Sequence, residues 1–281
     1  MGEPIVRIDH VHVEYPDGPS VRRVLNGIDI EINSGEFVSI VGQTGCGKST
    51  LLRLILGEQK PTRGRVLVNG RERSQPDSLC GYVPQKYSLF FDKTVIDNVT
   101  FGPDVSEFGA FPLLHPGRRK RIREFRREAL QILKQMGLDE SDARKYPHQL
   151  SGGMQQRVAI AQALIMHPPI LLMDEAFSAL DPGTRRGMQR LIKNVWYESG
   201  TTIIFVTHNT REAVCLGTRV IALGGPSVID TAVPHIGFDS REDDVQFLIR
   251  EIETGTNSDV NVMYEAEKLQ KGGFSPVPLS S

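Results

Sequence analysis

Nine consecutive residues, Gly42-Gln43-Thr44-Gly45-Cys46-Gly47-Lys48-Ser49-Thr50, combine three chemistries. Glycines let the backbone wrap an anion with successive N–H groups, Lys48 supplies a point charge, and the Ser49 hydroxyl is a ligand for a hard cation. The spacing G-x-x-x-x-G-K-[ST] follows the apolar run Phe37–Val41 and precedes the helical run STLLRLILG, the strand, loop and helix order of a P-loop. Such a loop cradles a phosphate chain, with Lys48 between the β- and γ-phosphates and Ser49 completing the coordination of a Mg²⁺ that otherwise keeps several waters. A second constellation is Ile170-Leu171-Leu172-Met173, a buried strand that ends in Asp174-Glu175. At the carboxyl end of a parallel strand beside the P-loop, Asp174 can reach Mg²⁺ and Glu175 can polarise an attacking water. The pair also has the chemistry of an N-cap and dipole partner for the next helix. A third stretch, Leu150-Ser151-Gly152-Gly153-Met154-Gln155-Gln156-Arg157, opens a helix. Ser151 is a good N-cap, and glycine N–H groups at a helix start form an anion site.

These residues need a scaffold, and the sequence supplies one. Residues 5 to 70 carry the β-rich runs Ile5–Ile8, Val11–Tyr15, Ile28–Ile32, Phe37–Val41 and Val66–Val68 between Gly, Asn and Pro turns, which predicts an N-terminal sheet. The helix after the P-loop stops at Gly57, before Pro61. Residues 94 to 167 read mainly as helices, with Ile122–Met136 periodic in apolar residues and Met154–Met166 rich in helix formers. Buried-strand runs return as ILLM and TIIFV around the polar helix Gly183–Ser199, an alternation that implies a parallel sheet. Beyond Leu223 the signals weaken to one short amphipathic helix over Asp243–Ile252, and KGGFSPVPLSS reads as a disordered tail.

In its third stretch the chain resembles the ATP-binding subunits of ABC transporters, whose LSGGQ signature LSGGM matches with Met154 in place of Gln. The resemblance covers about residues 5 to 225, with its motifs in family order. It implies that Ser151, Gly152, Gly153 and Met154 bind the γ-phosphate of ATP held by a second subunit. It places Gln85, in GYVPQKYSLF, at the Q-loop glutamine that contacts Mg²⁺ or the attacking water. Asp181, in Ser178-Ala179-Leu180-Asp181, stands at the D-loop, His208 at the switch histidine that contacts the γ-phosphate, and Tyr15 at the aromatic that stacks on adenine. Each position has a plainer use as well: Tyr15 as strand packing, Gln85 as a loop amide, His208 as a cap or core imidazole, and Asp181 as an N-cap before Pro182.

The implied fold is α/β: a P-loop NTPase core with a mixed sheet flanked by helices, an N-terminal antiparallel β region and an inserted α-helical subdomain over about 86–168. The ATPase domain spans 1–225, and 226–281 form a short C-terminal extension. The implied ligands are ATP and Mg²⁺, and the implied partners are a second copy or close paralogue, transmembrane permease subunits and, indirectly, a substrate-binding protein. FFDKTVIDNVTFG, DEAFSALD and THNTREAV look like the nitrate, sulfonate and taurine importer branch. Ala176, where that branch usually has Pro, and a longer stretch around Ser106 to Arg121 depart from it.

Composition narrows the alternatives. Thirty-three Lys and Arg against thirty-four Asp and Glu give a formal net charge of −1, so no global field draws the chain to nucleic acid or anionic lipid. A soluble ABC-type ATPase acting on nucleic acid or ribosomes would rest on the local basic run Arg118–Arg127 alone, which reads first as a solvated helix face. No apolar run approaches the roughly 18 residues that cross a bilayer, and the N-terminus lacks a secretory pattern. These readings predict a chain that stays in the cytosol, and the resemblance implies peripheral attachment at the inner face of the cell membrane. Cys46, Cys80 and Cys215 are scattered without metal-ligand spacing and read as reduced thiols, with Cys46 a small filler of the phosphate loop.

Overall fold

The computed structural model describes residues 3–86, 88–109, 117–224 and 227–232, together with Gln246, Ile249, Arg250 and Ile252. Strands β1 (Val6–Asp17) and β2 (Ser20–Ile32) form a long antiparallel hairpin. The two runs legible in β1 are one strand with a register shift, and His10 between them has φ 46, as expected of a bulge that re-aims the chain. The strands β4 (Arg63–Val68) and β5 (Arg71–Glu72) complete a four-stranded sheet in the order β2-β1-β4-β5.

The second sheet contains β3 (Phe37–Gly42), β6 (Cys80–Val83), β7 (Ile170–Asp174), β8 (Thr202–Thr207), β9 (Arg219–Gly224) and β10 (Ser227–Ala232). Their order is β10-β9-β3-β8-β7-β6, with every neighbouring pair parallel except β9 and β10. A parallel sheet must be covered on both faces, and the strand residues alternate between two cores. Leu171, Met173, Ile203 and Phe205 pack toward the helices, whereas Ile170, Leu172, Ile204 and Val206 pack toward α1 (Lys48–Leu56) and the antiparallel sheet.

The helical block comprises α2 (Val95–Phe108), α3 (Arg118–Gln135), α4 (Glu140–Ala143) and α5 (Gly152–Leu164), with a 3-10 turn at Pro147–Gln149. The basic run on α3 is partly used internally: Arg118 pairs with Asp104, Arg121 with Glu107 and Arg126 with Asp97 across to α2. After β7 come α6 (Pro182–Ser199) and α7 (Thr210–Leu216). Of the expected Asp243–Ile252 helix, Gln246, Ile249, Arg250 and Ile252 are helical, and Ile252 is buried against Val214 and Val220. The rest of that helix and the tail 271–281 lie outside the described residues.

Register explains why this fold can make a site. Val83 sits opposite Met173, Asp174 opposite Val206, and Val41 opposite Thr207, so four strands end at one edge. The P-loop follows β3, Gln85 follows β6, Asp174 and Glu175 end β7, and His208 follows β8. Segments separated by more than 100 residues therefore meet outside the carboxyl ends of the strands, where open α/β sheets bind ligands.

Candidate active site

A cleft of about 750 Å³ opens at that edge, lined by Tyr15, Thr44, Gly45, Gly47, Lys48, Ser49, Thr50, Gln85, Glu175 and His208 among others. Gly47 caps α1 at φ 106, and a Cβ there would lie 2.7 Å from Leu25 Cδ2, so both the turn and the packing demand glycine. No side chain caps α1, which leaves its first N–H groups facing the cleft. The buried Lys48 ammonium donates to the carbonyls of Gly42 (2.7 Å) and Gln43 (2.8 Å), and Cys46 Sγ lies 3.9 Å away. Gly42, Gln43 and Cys46 thus shape the loop from behind and do not line the cleft. Tyr15, at the far end, exchanges hydrogen bonds with Gln59 at 2.8 and 3.0 Å, which fixes its ring.

Acidic groups gather opposite the loop. Ser49 Oγ donates to Asp174 Oδ1 at 3.4 Å. Burial raises the Asp174 carboxyl above its ordinary value, against the opposing pull of the Ser49 hydroxyl. Glu175 adopts φ 45, a left-handed conformation unfavourable for a residue with Cβ, and its N–H donates to Val206 O at 2.9 Å. Its Oε2 accepts from Gln85 Nε2 at 3.1 Å and lies 3.3 Å from His208 Nδ1. Two residues from two other loops, Gln85 and His208, therefore converge on one Glu175 oxygen, and the backbone strain that holds it is of the kind that clusters at functional sites. The hydroxyl, carboxylate and amide oxygens of Ser49, Asp174 and Gln85 are hard donors that fit Mg²⁺. No group of three or more His, Cys, Asp or Glu that could hold a metal occurs among the described residues, so such an ion would depend on phosphate oxygens as well.

The signature stretch lies elsewhere. Ser151, Gly152, Gly153, Met154 and Asp181 are absent from the lining of this chain's cleft. Ser151 caps α5 by accepting from Met154 N at 3.3 Å, and Gly152 and Gly153 start the helix with N–H groups that have no intrahelical acceptor. Asp181 caps α6, accepting from Gly183 N (3.1 Å) and Thr184 N (3.0 Å), and bonds from Thr184 and Gly183 hold its carboxyl below the ordinary value. Arg185 then ties the loop down by donating to the carbonyls of Phe177, Ser178 and Leu180.

Several residues at the site escape sequence reasoning. Pro16, Asp17, Arg22 and Val24 line the cleft, brought there by the hairpin β1–β2. Tyr82 faces Asp174, and burial, followed by that carboxylate, pushes its hydroxyl up to about 12. Thr207 donates to the buried Glu212 at 2.6 Å and accepts from Asn209 N at 3.1 Å, which holds the loop of His208 from both sides. Only strand alternation carries a signal for Arg22 and Val24; nothing short-range marks Thr207 or Glu212.

Residues 25–178 match the ABC transporter family. The chain is 44% identical over 202 residues to an uncharacterized ABC transporter ATP-binding protein of Methanocaldococcus jannaschii, covering 72% of this chain and 70% of that one. It is 37% identical over 269 residues to a taurine import ATP-binding protein of Rhizobium johnstonii, covering 95% and 94%. Among solved structures it is similar to the dimeric post-hydrolysis state of an ATP-binding cassette bound to ADP and Pi, with a TM-score of 0.69 and 34% identity over 82% of this chain and 99% of that one.

Proposed function

The chain belongs to the ABC transporter family as one of its ATPases, and from this premise we propose that it powers an importer. The imported molecule is a small anionic or nitrogen- or sulfur-containing nutrient of the nitrate, sulfonate and taurine type. The chain serves as a peripheral subunit on the inner face of the cell membrane, coupled to separate permease subunits and through them to a substrate-binding protein. The taurine importer relative supports the substrate class, since it matches along nearly the whole chain. No helix among the described residues is long and apolar enough to cross a membrane.

The observation that carries the reading is the convergence of Gln85 and His208 on Glu175 at the mouth of the P-loop cleft. Tyr15 stacks on the adenine, while Lys48 and the N–H groups of Thr44, Gly45, Gly47, Ser49 and Thr50 hold the phosphates, with Gly42, Gln43 and Cys46 supporting the loop from behind. Ser49, Asp174 and Gln85 hold Mg²⁺, which when bound neutralises charge developing on the phosphate oxygens. Glu175 accepts the proton of the attacking water, and Gln85 and His208 orient that carboxylate. Ser151, Gly152, Gly153 and Met154 act in trans: the helix start of α5 closes the cleft of a second copy, and Asp181 approaches across the same interface. Preorganised N–H groups around the γ-phosphate then lower the barrier, and loss of that phosphate opens the pair, a cycle that gates the permease. Affinity purification of the full chain from solubilised membranes tests the assignment: a permease should co-purify in fixed ratio. Recovery with ribosomes or nucleic acid, and no permease, would reject it.

A further inference from the structure

We propose that Arg22 is a second cationic contact for the nucleotide, gripping the diphosphate common to ATP and ADP; this rests on reading the cleft as the ATP site. The strand geometry selects it. Arg22 stands directly opposite Tyr15 in the β1–β2 ladder, and residues opposite one another share a face. Glu14 and Arg23, the adjoining pair, point the other way and bond to each other at 3.0 Å. The period of two thus sends one arginine into an ion pair and its neighbour, with Val24 two residues on, into the cleft.

Position and charge give Arg22 a role there. Its Nη2 lies 4.0 Å from where a Cβ on Gly45 would stand, so the guanidinium reaches the apex of the P-loop. Arg22 and Lys48 are the cations among the residues that line the cleft, against the acids Asp17 and Glu175. Lys48 is buried and points inward to the Gly42 and Gln43 carbonyls, whereas Arg22 is exposed and, among the described residues, has neither an ion-pair nor a hydrogen-bond partner. Arg22 thus borders both Tyr15, its ladder partner, and Gly45 of the phosphate loop, the two ends that a bound nucleotide would bridge. A planar fork with five donors suits a phosphate better than a point charge does, so lysine should replace it only in part.

The test measures equilibrium binding of ATP, ADP and AMP to the purified full chain and to Arg22→Ala, Arg22→Lys and Lys48→Ala. Arg22→Ala should weaken ATP and ADP about 10-fold and AMP less than 3-fold, with a shallower salt dependence, and Arg22→Lys should fall between. Equal losses for all three nucleotides would mark a merely structural role and overturn the proposal, as would unchanged ATP and ADP affinity in Arg22→Ala while Lys48→Ala loses binding. If Lys48→Ala also bound ATP normally, the reading of the cleft itself would fall.

Discussion

Glu175 is held by backbone strain and by two neighbours, Gln85 and His208. Its left-handed backbone costs on the order of 1 kcal/mol, which the Val206 hydrogen bond and the packed ends of β7 and β8 must hold. Replacing Glu175 by Gln preserves shape and the Gln85 contact but removes the base. Turnover should fall by about 10²- to 10⁴-fold with ATP affinity retained, measured by phosphate release beside nucleotide binding. Near-normal turnover would exclude the role. Cysteines give a separate residue-scale test. Burial pushes the Cys80 thiol up to about 11, the largest influence on it, whereas an unfolded thiol ionises near 9. The native chain therefore keeps a proton that the unfolded chain loses, and stability should decline as pH rises from about 9 to 11. Thermal melts should show that decline flattened in Cys80→Ala. At this scale the phosphate loop and the two acids at the end of β7, Asp174 and the following Glu175, are legible because each motif is short and contiguous. Arg22 and Tyr82 are not, because strand pairing brings them to the site: the register of the β1–β2 hairpin for Arg22 and the pairing of β6 with the distant β7 for Tyr82.

Two element junctions carry the geometry. Gly153 at the start of α5 meets α6: a Cβ there would lie 2.6 Å from Thr184 Cγ2, a β-branched side chain with little freedom to move. Gly153→Ala should therefore tilt the signature helix away and cut ATPase activity at least 10-fold. The second change Thr184→Ser, which removes that methyl and keeps the N–H that bonds Asp181, should restore most of it. Failure of the double variant to recover would show that the glycine serves something other than this contact. At the other junction, between β8 and α7, Gln189 and Thr207 both donate to the buried Glu212. Thr207→Val leaves a buried carboxylate short of one donor, for a loss of about 1–3 kcal/mol in urea unfolding, with turnover reduced as the His208 loop shifts. Unchanged stability would contradict it. The strands β7 and β8 are legible from the apolar runs Ile170–Met173 and Ile203–Val206 and β3 from a run broken only by Ser39, since a strand covered on both faces needs little that is polar. The four-residue β6 and the two-residue β5 are too short for periodicity to show, and the bulge at His10 splits β1 into two apparent runs.

For the whole molecule, the fold class follows from the order of the runs, and the helical block from its change of period. What the chain's own order does not reveal is which surface completes the site, because Ser151 to Met154 and the P-loop lie in one chain yet not in one cleft. The near-zero net charge suits a protein that closes on its own copy, since like charges would oppose the approach. Ile252 is buried in the cluster that contains Val214 and Cys215 of α7, the helix that follows His208.

The separation of the α5 start from its own phosphate loop has a genetic corollary. Mix two inactive proteins, one lacking Lys48 and the other carrying a bulky residue at Ser151. In a hybrid pair both lesions fall in the same compartment, which leaves its companion wholly wild type. Two dead preparations should thus complement one another, and titrating one into the other should yield activity that peaks at equal parts.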